Sequence, residues 1–344
     1  MRIILVGFGV VGSSLARLML ESGSELKTHF GSAPKLVAAA DSKGYALDES
    51  GLDVDHLLLR KAKTGTVAAG QQKMDTEELI ESVDADVVVE VTPTKVDTAE
   101  PATTHIKAAL RSGKSVVTAN KGPLALSFRS VVDCAVNNGV QLKYSGTVGS
   151  GTPILEFGRL CARWETITKF EGILNGTCNY VLSRMEESET DFDCALRAAQ
   201  ASGYAEADPN LDISGLDSAC KLVIVSNHVL NTNFTLRDVA VNGVVSVTRG
   251  QLASARKRGK VIRLLASASR RLQVKPEELD VDNPLVVSGP LNAALFVCEH
   301  SGEKLIVGKG AGGIETASAI VKDLVEVAKD LTHIKEPYVI RGPR

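Results

Sequence analysis

Residues 1–12 read Met1-Arg2-Ile3-Ile4-Leu5-Val6-Gly7-Phe8-Gly9-Val10-Val11-Gly12, and the fold turns on how this stretch is parsed. Ile3 to Val6 is an unbroken apolar run, the pattern of a strand buried on both faces. Val11 to Glu21 carries Leu15, Leu18 and Met19 at helical spacing. Between them stands Gly-x-Gly-x-x-Gly. In that setting Gly7 permits a tight turn, Gly9 lets the backbone approach a pyrophosphate, and Gly12 lets the helix pack closely on the sheet. The pyrophosphate then lies at the positive N-terminus of the helix. The stretch predicts the opening of a dinucleotide-binding unit, with Gly7, Phe8, Gly9, Val10, Val11 and Gly12 at the cofactor. A secretory leader is the competing reading, with Arg2 before an apolar stretch. Glycines interrupt that stretch and no cleavage pattern follows, so a cytoplasmic protein is expected.

The alternation continues outward. Leu36–Ala40 is a second apolar run, closed by Asp41, and Val87–Val91, Ser115–Thr118 and Gln141–Tyr144 are further strands. Helical spacing occupies Asp53–Lys63, Ala102–Arg111 and Leu124–Asn138. Strands alternating with helices predict an α/β domain, a Rossmann-type doubly wound parallel sheet with helices on both faces. Ligands of such sheets lie beyond the carboxyl ends of the strands. That rule brings Thr92, Pro93 and Lys121 to the cofactor. Asp41 ends the second strand, 29 residues past Gly12, and is the candidate for the adenosine ribose hydroxyls, which favours NAD. Lys43 would pair with a 2′-phosphate, which favours NADP. Both cofactors stay open.

The rhythm changes after Thr147-Val148-Gly149-Ser150-Gly151-Thr152-Pro153. Strands are expected at Thr166–Leu174, Val261–Ala268, Ala293–Cys298 and Leu305–Val307, the last two as a hairpin. Helices are expected at Asn179–Glu187, Phe192–Ser202 and Leu216–Leu230. Thr316–Leu331 is an amphipathic helix with Ile320, Leu324, Val327 and Leu331 on one stripe. The expected division is a dinucleotide-binding domain over 1–135, completed by the C-terminal helix at about 312–344, and an α+β substrate domain over 136–311.

Composition narrows the function classes. A chain of 344 residues accommodates two domains. A net charge of −2 and an aromatic content of 4% argue against a nucleic-acid binder, so the basic run Arg256–Lys260 reads as a solvated face. The six cysteines are dispersed with no CxxC pair, which suits free thiols in a reducing compartment rather than zinc. No apolar run reaches about 18 residues, so no membrane span is expected.

The segment Gly203–Lys221 holds Glu206, Asp208, Asp212, Asp217 and Lys221. Asp217 and Lys221 stand four apart on a predicted helix and share a face. An exposed pair of this kind is worth only a few tenths of a kcal/mol. Here the helix continues as Leu222-Val223-Ile224-Val225, so the pair is expected to be partly buried, where charges are costly to desolvate. Acids around one lysine suit a ligand bearing an ammonium group. Asn175-Gly176-Thr177, between a strand and a helix, can present amides to a carboxylate.

With these residues in place, the sequence resembles homoserine dehydrogenases along nearly its whole length. The resemblance is carried by Ala199–Lys221, by Phe170–Glu186, by Thr118–Ala125 and by Gly308–Leu324. It implies reversible NAD(P)-dependent interconversion of L-homoserine and L-aspartate 4-semialdehyde, in threonine, methionine and isoleucine biosynthesis. It implies that Glu206 and Asp212 hold the substrate's ammonium end. Asp217 and Lys221 would bind and polarise its reacting end, and Lys121 would transfer the proton, although Lys121 and Lys221 can exchange these roles. It also implies Gly312 near the cofactor, a homodimer, and a substrate domain that dimerises.

One departure concerns a monovalent cation, Na+ or K+. Many members carry an acidic residue just before the glycine-rich loop, where this chain reads Tyr144-Ser145-Gly146. Only the backbone carbonyls of Val148 and Ser150 are left as candidate ligands. At this length, the regulatory ligand-binding domain of longer members is not expected. The rivals are a related dehydrogenase of another small amino or hydroxy acid and a nucleotide-sensing protein without turnover; the carboxylate–lysine constellation argues against both.

Overall fold

The computed structural model describes residues 1–70, 74–269 and 271–332, without the side chains of residues 330–332. Residues 333–344 of the expected C-terminal segment and the Leu331 side chain lie outside this description. Two six-stranded sheets organise the chain. The first contains β1 (Arg2–Val6), β2 (Lys35–Asp41), β3 (Gly44–Leu47), β4 (Val87–Glu90), β5 (Ser115–Thr118) and β6 (Leu142–Lys143). Its order is β3-β2-β1-β4-β5-β6, parallel throughout except for the β2–β3 edge. The apolar runs of the sequence become strands covered on both sides. Leu5, Val89 and Val117 face one core, and Ile4, Val88 and Val116 face the other.

Strand order reverses between β1 and β4, so the carboxyl ends of these two strands open onto one crevice. The helix Gly313–Thr332 lies on this sheet, with Ala317, Ile320, Leu324 and Val327 in the same core as Ile3, Leu5 and Leu15. The first sheet reaches Lys143, past residue 135 where the sequence divides the chain, because β6 hydrogen-bonds to β5.

The second sheet contains β7 (Ile167–Ile173), β8 (Val239–Val241), β9 (Lys260–Ala268), β10 (Leu272–Asp280), β11 (Leu291–Cys298) and β12 (Gly302–Lys309). Its order is β12-β11-β7-β9-β10-β8, with only β8–β10 parallel. The helix Leu216–Val229 runs through the core on one face of this sheet. Twelve of its fourteen residues are buried, Asp217 and Lys221 among them.

Several elements escape the sequence reading: β3, β8, β10 and the helices Gly23–Phe30, Thr76–Ser82, Ile154–Cys161 and Arg249–Lys257. β10 hides because Pro276 and four charged residues break any alternation, yet it pairs with β9 along its whole length. One boundary has functional weight. The helix expected from Leu124 begins at Lys121. Asn120 caps it by accepting the Gly122 amide at 3.1 Å, and Pro123 sits in the first turn, where a missing N–H is tolerated. Lys121 is thereby anchored at the helix start.

The ends of β4 and β5 are tied by a buried acid. Glu90 is fully buried. Its Oε1 accepts the Thr92 amide at 3.0 Å and the Thr92 hydroxyl, and its Oε2 lies 3.2 Å from the Thr118 hydroxyl. Asn120 closes the ring by donating to the Thr92 carbonyl at 3.0 Å. Burial raises the Glu90 carboxyl from its ordinary 4.5 to about 7, against the opposing effect of the Thr92 and Thr118 hydrogen bonds. The folded chain therefore holds a proton that the unfolded chain releases above pH 4.5. Stability from this group is full below that pH and falls as the pH rises through 7, by roughly 3 kcal/mol at most. Glu90→Gln should remove this component. Thermal unfolding of parent and variant across pH 4–8 checks it, and an unchanged difference between the two at all pH values refutes it.

Candidate active site

The crevice is shaped first by close backbone approach. Gly7 has φ 104°, and a Cβ there would stand 2.6 Å from the Val91 carbonyl carbon. At Gly12 a Cβ would stand 2.1 Å from the Gly7 oxygen. Around Gly9 the space is open to 4 Å. Gly9 is also the N-cap of the helix Val10–Glu21 and offers no side-chain cap, so the first amides of that helix are left for an external anion. The residues present fit a dinucleotide. Phe8 contributes only backbone, since its side chain is buried in the core, whereas Val10 is exposed. The Thr92 side chain is taken by Glu90, and the carbonyls of Thr92 and Pro93 by Asn120. Gly312 lies just before the last helix and accepts the Thr316 amide at 3.0 Å. The following Gly313 lies against Val10 and Ser14 of the first helix.

Asp41 is engaged by the chain's own donors. Its carboxylate accepts Lys43 N at 2.9 Å, Thr66 Oγ1 at 2.9 Å, Lys61 Nζ at 2.7 Å and Val67 N at 2.8 Å. Burial pushes its pKa up, and these bonds outweigh burial and hold it below the usual carboxylate value. A ribose hydroxyl would have to displace one of the four donors. Lys61, absent from the sequence reading, is the ion-pair partner, and the Lys43 side chain is exposed.

The second half supplies the charged centre. Asp217 is buried and accepts three donors. Lys221 Nζ lies 2.8 Å from Oδ2, Lys121 Nζ 3.4 Å from Oδ1, and Asn175 Nδ2 2.9 Å from Oδ2. Asn175 Nδ2 also lies 2.6 Å from Asp212 Oδ1, while Asn175 Oδ1 caps the helix Gly176–Ser188 by accepting Cys178 N at 2.8 Å. Lys221 Nζ makes a further bond of 2.6 Å to the Leu174 carbonyl. Desolvation works against the Asp217 anion, but the Lys221 and Lys121 ammonium groups prevail and hold its carboxyl far below the usual range. Desolvation likewise disfavours charge on Lys121, and Asp217 overcomes it and raises its pKa. Asp212 is raised by burial and by the Asp217 charge beside it.

Lys121, Lys221, Asp212, Asp217 and Asn175 are thus brought together. Gly176 lies against the Pro290 carbonyl, and the Thr177 hydroxyl donates to the Tyr204 carbonyl at 2.6 Å. Glu206 is exposed on its loop and shares none of these bonds. At the junction, the Ser145 amide donates to Asp323 Oδ2 at 2.8 Å, and its hydroxyl stands between Asp323 Oδ1, at 2.5 Å, and Glu156 Oε1. Burial lifts Asp323 to about 6. Two acids from other elements thus flank position 145, a neighbourhood that sequence spacing could not reveal. Glu90, Asn120, Glu156 and Asp323 are the residues that reading missed; the polar residue beside a predicted strand end was the only available signal, for Glu90 and Asn120.

Comparisons with known proteins cover both halves of the chain. Residues 7–145 match the family described as homoserine dehydrogenase, NAD binding domain, and residues 153–325 match homoserine dehydrogenase. A homoserine dehydrogenase of Methanocaldococcus jannaschii is 42% identical over 95% of this chain and 98% of its own. An NAD(+)-dependent homoserine dehydrogenase of Pseudomonas canavaninivorans is 36% identical over 97% of this chain and 98% of its own. The crystal structure of a homoserine dehydrogenase from Thiobacillus denitrificans superposes with a TM-score of 0.84 at 31% identity, over 97% of this chain and 74% of that one. A hyperthermophilic archaeal homoserine dehydrogenase mutant in complex with NADPH gives 0.83 at 28%, over 96% and 98%. With both halves matched and a shared charged centre between them, the chain belongs to the homoserine dehydrogenase family.

Proposed function

We propose that this chain interconverts L-homoserine and L-aspartate 4-semialdehyde reversibly with NAD or NADP. The observation that carries the reading is the single Asp217 carboxylate shared by Lys121, from the nucleotide-binding half, and Lys221. The nicotinamide, when bound, takes or gives the hydride. The chain's own residues handle charge and protons. Lys221 is committed to two fixed oxygens, those of Asp217 and Leu174, so its ammonium is a stationary charge for the oxygen that becomes an alkoxide. Lys121 has one longer contact of 3.4 Å and keeps the freedom to deliver or receive the proton. Asp212 and Glu206 would take the substrate's ammonium. The amides of Asn175, Gly176 and Thr177, at a helix start, suit its carboxylate. The carbonyls of Val148 and Ser150 accept no hydrogen bond among the described residues, which leaves them available to Na+ or K+.

Two further readings belong to the same proposal. Among the described residues β12 is one of the two edge strands of the second sheet and exposes Leu305 and Val307, which supports a homodimer through this strand pair. All six cysteines are free thiols, which supports the cytoplasm. Among the described residues no helix is long and apolar enough to cross a membrane, and no cluster of His, Cys, Asp or Glu is disposed to hold a metal.

Purified protein should reduce NAD or NADP in the presence of homoserine. Lys121→Ala should lower kcat by about 10²–10⁴-fold, the span of a lost proton donor, and Lys221→Ala should lower it as well. Turnover with neither cofactor overturns the function, and undiminished turnover in both variants overturns the assigned roles. Light scattering should give twice the chain mass, and charges introduced at Leu305 and Val307 should return it to one chain.

A further inference from the structure

The Leu174 carbonyl, just past the end of β7, accepts two bonds. One comes from Lys221 Nζ at 2.6 Å and the other from Asn292 Nδ2 at 3.0 Å. Asn292 belongs to β11, is 1% exposed, and has an Oδ1 that is buried without a partner among the described residues. Leaving a buried acceptor unpaired is costly, a cost that an apolar side chain of the same size would avoid. The carboxamide is also pinned from above. A Cβ on Gly310 would stand 1.9 Å from Nδ2 and 2.4 Å from Oδ1, so only a glycine there lets Asn292 keep its place.

We infer that Asn292 is a positioning residue of the reaction, which fixes the Leu174 carbonyl and through it the ammonium of Lys221. The inference rests on the function proposed above. Its physical content is that one peptide carries both arms of the charged centre. The Leu174 oxygen holds Lys221, and the next side chain, Asn175, holds Asp212 and Asp217. If Asn292 stops donating, the Leu174 oxygen loses one of its two anchors, and both arms loosen together. Gly310 belongs to the segment by which the chain returns to the nucleotide sheet, so the same contact links that return to the lysine.

The test uses the whole purified chain with Asn292→Asp, Asn292→Ala, Gly310→Ala and the Asn292→Ala, Gly310→Ala double variant, followed by kcat, cofactor KM and thermal midpoint. Asn292→Asp has the parent's shape but an ionised carboxylate cannot donate to a carbonyl. Its kcat should fall about tenfold or more near neutral pH, the order of one lost buried hydrogen bond, with cofactor KM unchanged. It should recover relative to the parent as the pH falls, because a protonated carboxyl can donate again. Gly310→Ala should lose kcat by displacing Asn292, and the double variant should be no worse than Asn292→Ala alone. A packing role alone would give Asn292→Asp the parent's kcat at every pH, or make the two losses multiply; either result overturns the inference. A parent that does not turn over homoserine overturns the function itself and this inference with it.

Discussion

Two ammonium groups converge on one carboxylate at Asp217, and without it they would face each other across a desolvated site. At a few ångströms in a partly desolvated site, like charges repel and each loses hydration. The carboxylate between them turns a repulsive pair into a triad with one net positive charge. That residual charge is what an oxygen acquiring negative charge needs nearby. The constraint reaches into the fold. Lys121 must start its helix at the end of β5, and Asp217 must lie in a helix buried nearly all round. Asn120 and Asn175, two caps on unrelated helices, hold the pieces in register.

Legibility in the sequence followed how local each cause was. Ala102–Arg111 and Ser115–Thr118 were readable to the residue, since periodicity and flanking breaks lie within a few positions. The glycines at 7, 9 and 12 were readable because strand, turn and helix adjoin. The Asp217–Lys221 pair was visible from its spacing and its apolar continuation. The helix start at Lys121 was not, because it depends on a cap that looks like any loop asparagine. β10 was not, because its partner β9, rather than its own pattern, makes it a strand. Asp323 and Asn292 were not, because they act on residues 178 and 118 positions away.

Asp41 shows that position and charge leave a side chain's partners open. The strand end is where the fold puts an acidic residue, and the acid is there. Its oxygens, however, are filled by Lys61, Thr66, Val67 and the Lys43 amide. The carboxylate thereby ties β2 to the helix Val54–Thr64 and to the segment that follows it. Charge type and position were legible, whereas the occupancy of lone pairs needed three dimensions.

The last helix covers the first sheet, and this has a consequence for synthesis. Ala317, Ile320 and Leu324 complete a core whose other members, Ile3, Leu5 and Val117, are translated first. Between Val117 and Ala317 the ribosome adds 200 residues, which at about 5–20 residues per second takes roughly 10–40 seconds. Throughout that interval the part of this core that the last helix fills, beside Leu15 and Met19 of the first helix, has no cover. The nascent chain thus carries an apolar groove that it cannot yet close itself, and its safe passage depends on what shields that groove until the helix emerges.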